Sequence, residues 1–502
     1  MPDLFGGALG TALPGAVEAY LRETNPWWVG KPGPALPRFR RSAFADVLKR
    51  VKSGLAPCVV VRGPRQVGKT TLQEQLIEHL LDTDRVDARR ILRVQFDDIP
   101  SLRPVSDPVL AIARWFQNTI LKRTFNEAAH AGEIVYVFLD EVQNLPRWAP
   151  QLKALVDHHT LRGLVTGSSS LRIEAGRDSL AGRVSTVDLG TLSLQEIAGL
   201  RFGRTVVPVL GQNELDRLVE PDFWIGVRHR AQQEMEVRHE AFAAFSQRGG
   251  YPIAQARPET PWPEMADYLN ETVILRAIQH DLRMGRRGRM RDEPLLAEVF
   301  RLACRYAGQT VGQAVFVPHI QEVLHTSTGW RQIRAYLQFL HGALLLRLVP
   351  ALEIRQKKQR APAKICLCDH GLRASWLQEV VPLDPQQLGR EAHLSDLAGH
   401  LAESAAGYFV GTIPHLDLAH FPERAAEPEV DFVLTVGEHR IPMEIKYRRR
   451  IAPHDDTRGL RAFIEKTVYN APFGVLVTMD DDVTVPDPRI LPLSLSALLW
   501  MR

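Results

Sequence analysis

At 502 residues the chain exceeds what one hydrophobic core serves, and a prior of about 150 residues per domain implies roughly three domains. A content of 45% hydrophobic and 24% charged residues excludes long disorder, a net charge of +4 excludes an all-over polyanion-binding surface, and four cysteines exclude a disulfide scaffold. No basic, apolar leader opens the chain and no apolar run reaches about 18 residues, so a cytoplasmic protein without a membrane segment is expected.

In chain order, residues 1–37 carry Gly6-Gly7, Pro14, Pro32, Pro34 and Pro37, helix and strand breakers that predict a loosely structured lead-in. Short β-branched runs follow at Cys58–Val61, Ile91–Val94, Ile134–Leu139, Leu164–Val165 and Val184–Leu189. Helical stretches separate them, the pattern of a parallel sheet covered by helices on both faces. From about 206 to 285 strand signals vanish, and Val227–Ser246 reads as one long helix. Three helical periods, Leu295–Tyr306, Val317–Leu324 and Gly329–His341, then precede a β-like close at Leu344–Leu348. That order resembles a winged helix with Arg331–Phe339 in the recognition position. Mixed strands and helices return after a break at Val381-Pro382 and Pro385.

Gly63-Pro64-Arg65-Gln66-Val67-Gly68-Lys69-Thr70 lies between an apolar strand and the amphipathic helix Thr71–Leu81, matching G-x-x-x-x-G-K-[ST] in its proper setting. The glycines let backbone N–H groups turn onto phosphates and the helix N-terminus adds its positive dipole end. Residues Gly63 to Thr71 are therefore expected to bind ATP, with Lys69 on the β- and γ-phosphates and Thr70 on Mg²⁺. The buried run ending at Leu139 delivers Asp140-Glu141 to the ligand-binding edge of the sheet. Asp140 is expected to hold Mg²⁺ through water, and Glu141 to orient and deprotonate the attacking water.

These segments, joined by Thr166-Gly-Ser-Ser169, Leu180-Ala-Gly-Arg183, Leu192-Ser-Leu-Gln-Glu196, Cys368-Asp-His-Gly-Leu372, Glu429-Val-Asp-Phe432 and Met443-Glu-Ile-Lys446, carry a resemblance. The chain resembles bacterial and archaeal AAA-type ATPases whose C-terminal domain is related to PD-(D/E)xK nucleases, over roughly residues 38–480. The resemblance implies an α/β protein: N-terminal extension 1–37, AAA-type P-loop parallel-sheet core 38–205, helical lid 206–288, winged helix 289–362 and restriction-endonuclease-like domain 363–502. It further implies that one of Ser168 to Ser170, with Ser168 preferred, senses the γ-phosphate. Arg183, with Arg177 in reserve, becomes the arginine finger that serves a neighbouring copy's ATP in a homo-oligomer.

Toward the C-terminus, Glu403 lies on a predicted helix over His393–Tyr408, Asp431 at the start of a strand, and Glu444-x-Lys446 on the strand after a Gly437 turn, with alternation placing both on one face. In the nuclease fold that the resemblance implies, Glu403, Asp431 and Glu444 hold Mg²⁺ while Lys446 steadies the hydroxide or phosphate. Val430 stands where the signature has Pro. Basic clusters containing Arg286, Arg287 and Arg289, then Lys357 and Lys358, then Arg448 and Arg449, suit sequence-independent contact with DNA phosphates. Two functions result: an ATP-driven protein acting on DNA, or a scaffolding ATPase whose degenerate nuclease-like domain binds a protein.

Overall fold

The computed structural model describes residues 13–97, 100–102, 105–167, 180–211, 214–281, 292–353, 361–423 and 427–502. Two compact units divide the chain: Met1–Gly63 with Gly68–Leu189, and Pro64–Val67 with Gly190–Arg502.

The first unit is built on five parallel strands, β1 (Cys58–Arg62), β2 (Ile91–Gln95), β3 (Tyr136–Asp140), β4 (Arg162–Gly167) and β5 (Val184–Asp188), in the order β2-β3-β4-β1-β5. β1 lies between two neighbours and is buried over Cys58–Val61, which is why it is a continuous Val run. β5 is an edge strand, partly exposed along its length, and carries Ser185, Thr186 and Asp188 among its five residues. Val60, Val94, Val137, Leu139 and Val165 of the sheet share one core with Phe116, Phe125 and Trp148. This places the ends of β1, β3 and β4 beside one another, with the helix Lys69–Asp82 starting just past β1.

The lead-in is not loose over residues 14–29. A helix Gly15–Thr24 and a turn Pro26–Val29 dock on β2, where the Asn25 amide donates to Arg93 O at 2.8 Å and accepts from Arg93 N at 2.7 Å. The indole nitrogens of Trp27 and Trp28 both donate to Ile91 O. Local Gly and Pro content is overridden here by apolar docking and by an amide that pairs with a strand edge.

In the second unit the single helix expected over Val227–Ser246 is two, Pro221–Gln233 and Met235–Arg248. Glu234 leaves helical geometry at φ −105° and ψ 23°, and its carboxylate accepts from Trp500 Nε1 at 2.8 Å and pairs with Arg230 at 2.6 Å. Tertiary partners thus fix a break that helix propensity cannot foresee. Helices Glu293–Arg305, Gln313–Leu324 and Trp330–Gly342 follow, then β6 (Leu346–Val349), antiparallel to β7 (Lys364–Leu367).

The remainder is a mixed five-stranded sheet, β12-β11-β10-β9-β8, made of β8 (Asp417–Phe421), β9 (Val430–Val436), β10 (His439–Lys446), β11 (Gly474–Thr478) and β12 (Ile490–Ser494). The tight β9–β10 turn uses Gly437 at φ +59°, a left-handed conformation that favours glycine. The helix Ser395–Gly411 packs against β7, with Ser404 Oγ accepting from Leu367 N at 2.8 Å.

Candidate functional site

The phosphate loop leaves β1 at Gly63 and enters its helix through Gly68, whose φ of +92° is the left-handed turn the motif needs. Gln66 is also left-handed, at φ +62°. Lys69 is 5% exposed and donates from Nζ to Gly63 O at 3.1 Å, so the ammonium is folded back over the loop. The next residue, Thr70, donates from Oγ1 to Asp140 Oδ2 at 2.8 Å. Two elements separated by 70 residues in sequence are thereby joined at the sheet edge.

Asp140 is fully buried, and three donors fix its carboxylate: Thr70 Oγ1, the Glu141 backbone N–H at 3.1 Å and Thr166 Oγ1. Thr166 was not singled out from sequence. Its signal is weak, because a Thr near the end of β4 is ordinary, and only the strand order puts it beside β3. Glu141 adopts φ +50°, costly for a residue with a side chain, and such strain concentrates at functional sites. Its carboxylate accepts from Gln143 Nε2.

The donor set fits Mg²⁺ bound with a nucleotide: a hydroxyl and a carboxylate, both oxygen ligands, within hydrogen-bond reach of each other beside a buried ammonium. Arg183 immediately precedes β5, its backbone carbonyl accepting from Cys58 N at the opposite end of β1 from the loop. One five-residue strand, roughly 16 Å, separates it from its own loop. Its guanidinium pairs with Asp157. Ser168 and Arg177 lie outside the described residues.

In the second unit, Glu403, Asp431, Glu444 and Lys446 line one cavity of about 500 Å³. A residue unforeseen from sequence joins them. Lys364 of β7 is 2% exposed and places Nζ 2.7 Å from Asp431 Oδ1, 3.1 Å from Glu403 Oε2 and 3.9 Å from Glu429 Oε1. Asp431 Oδ2 accepts from Ile445 N at 2.9 Å, so both its oxygens are engaged. Lys446 Nζ lies 2.5 Å from Glu444 Oε1, while Glu444 Oε2 has no hydrogen-bond partner among the described residues.

Burial, reinforced by the Asp431 charge, pushes the Glu403 and Glu444 carboxyls up to about 8. Burial would raise Asp431 too, but the Lys364 and Lys446 ammonium groups outweigh it and hold that carboxyl below its ordinary range. This arrangement does not fit a divalent ion: Glu403 Oε2 and Asp431 Oδ1 face the Lys364 ammonium, and Asp431 Oδ2 is taken by a backbone amide. Among the described residues, no three Asp, Glu, His or Cys side chains are grouped to hold a metal.

Of the basic clusters, Arg286, Arg287, Arg289, Lys357 and Lys358 lie outside the described residues. Arg448 and Arg449 are exposed; Arg448 pairs with Asp456, and Arg449 reaches Pro385 O at 3.5 Å. No helix among the described residues is long and apolar enough to cross a membrane.

Residues 56–198 match a family model described as an AAA domain. An uncharacterised protein of Mycobacterium tuberculosis and one of Mycobacterium bovis are each 30% identical to the chain over 162 residues, 30% of this chain and 30% of theirs. The match thus spans under a third of these curated relatives. Among solved structures, the Walker-type ATPase PABY2304 of Pyrococcus abyssi is similar over 69% of this chain and 99% of its own, at 15% identity and a TM-score of 0.39. The Orc1 protein of Aeropyrum pernix, solved in complex with DNA, is similar over 68% of this chain and 94% of its own, at 12% identity and a TM-score of 0.28. The family match and the phosphate-loop geometry thus fall in the same stretch of the chain, residues 56–198.

Proposed function

We propose that the chain binds Mg-ATP, hydrolyses it between copies of itself in the cytoplasm, and uses the cycle to act on DNA. The observation that carries the nucleotide reading is the Thr70–Asp140 hydrogen bond beside the buried Lys69 ammonium. Lys69 and the loop N–H groups would bind the β- and γ-phosphates, while Thr70 and Asp140 would hold Mg²⁺, which neutralises phosphate charge when bound. Glu141 takes a proton from the water that attacks the γ-phosphorus, the bond to the bridging oxygen breaks, and ADP leaves.

Arg183 lies about a strand length from its own loop, so a finger role for it requires a neighbouring copy. Arg183→Ala is expected to retain ATP binding and lose turnover. Mixing it with Lys69→Ala protein, which still presents Arg183, should then restore part of the rate. No recovery on mixing would remove the trans assignment.

The DNA reading rests on three helices followed by an antiparallel strand pair, the order of a winged helix, and on the basic clusters of the sequence. Duplex DNA is expected to raise the ATP turnover rate, with binding that falls steeply as salt increases. An unchanged rate and a flat salt response would favour the second reading, a scaffolding ATPase that binds a protein. For the C-terminal domain, the Lys364 contacts favour binding over metal-dependent cleavage.

A further inference from the structure

The nuclease-like cavity holds a cation of its own. Lys364 is fixed from two directions: its backbone belongs to the β6–β7 ladder, opposite Val349, and its ammonium lies 5.1 Å from the centre of the Phe432 ring. At 2% exposure its side chain is buried, and a buried cation that loses its carboxylates is strongly disfavoured. A divalent ion would need oxygen ligands at about 2.0–2.1 Å in near-octahedral array for Mg²⁺. The oxygens that could supply them, Asp431 Oδ1 and Glu403 Oε2, face the ammonium at 2.7 and 3.1 Å. An ion on those oxygens would stand against a like charge in a region screened from water. Lys446 cannot be recruited to hydroxide without leaving Glu444.

We infer that the Lys364 ammonium is the resident cation of this cavity, standing between Glu403 and Asp431 where a divalent ion would bind, so that the cavity balances its charge without metal. The inference is independent of the nucleotide site and says nothing about ATP turnover. Removing the ammonium would free Asp431 Oδ1 and Glu403 Oε2 in the cavity that Glu444 also lines, whose Oε2 has no hydrogen-bond partner among the described residues.

The test is Mn²⁺ binding to full-length, nucleotide-free protein, read as loss of the free-ion electron paramagnetic resonance signal. Lys364→Met is expected to bind one Mn²⁺ per chain more than wild type, at least tenfold tighter than any residual wild-type binding, and Lys364→Met/Asp431→Asn should lose it. Wild type and Glu444→Gln should bind equally, a comparison that decides the matter even if Lys364→Met does not fold. A wild-type ion that Glu444→Gln loses, or a folded Lys364→Met with no added site, would overturn the inference.

Discussion

Glu141→Gln is expected to bind ATP with unchanged affinity while its turnover falls about 10²- to 10⁴-fold, the usual contribution of a positioned general base. The substitution keeps side-chain length and planarity, so it leaves the strained φ of +50° as it is and removes only the proton acceptor. Lys69→Ala differs in kind: it deletes the ammonium on Gly63 O and should lose binding itself. Comparing the two by single-turnover hydrolysis and by nucleotide titration separates a chemical defect from a binding defect. Equal loss of affinity in both would place Glu141 in binding rather than chemistry.

Asp481→Ala should destabilise the second unit by about 3 kcal/mol, the low end for losing one partner of a buried pair, because Arg238 is fully buried but Asp481 only partly so. Arg238 is fully buried in the helix Met235–Arg248, and its guanidinium holds Asp481 through two nitrogens, at 3.0 and 2.5 Å. Asp481 also accepts from Ser494 Oγ and faces His239 Nε2 at 3.3 Å. Burial raises this carboxyl, but the hydrogen bonds from His239, Arg238 and Ser494 outweigh it and hold it well below its ordinary range. A depressed carboxyl contributes stability above its unfolded value of 3.8, and that contribution is lost as pH falls below it. Chemical denaturation at neutral and acidic pH should therefore show a gap between wild type and Asp481→Ala that narrows in acid. Arg238→Met/Asp481→Leu should recover much of the loss, because no charge is then left buried alone. A gap independent of pH would mean that packing, not charge, is what the aspartate supplies.

What was legible in the sequence depended on how far apart the partners lie. The phosphate loop is eight consecutive residues whose glycines have a local backbone purpose, so Gly63, Gly68, Lys69 and Thr70 could be placed by spacing alone. The sheet was most legible in its interior, where β1, buried between two neighbours, reads as an uninterrupted β-branched run. Glu403, Asp431 and Glu444, which line one cavity, could each be noticed from a helix, a strand and a turn, yet the lysine at Glu403 and Asp431 could not. Lys364 comes from a short strand 39 residues before Glu403 and 67 before Asp431, and nothing local distinguishes it from a surface lysine. Thr166 and Arg238 were missed for the same reason: each is defined by a partner across the fold. Composition misled at residues 14–29, where glycine and proline hid the docking of Asn25, Trp27 and Trp28 on β2.

Calorimetric titration of the full chain with a non-hydrolysable ATP analogue and Mg²⁺ tests the nucleotide site most directly. The account predicts saturable binding near one nucleotide per chain in wild type and Glu141→Gln, and none in Lys69→Ala. Absence of heat in folded wild-type protein, or binding in Lys69→Ala as tight as in wild type, would contradict it.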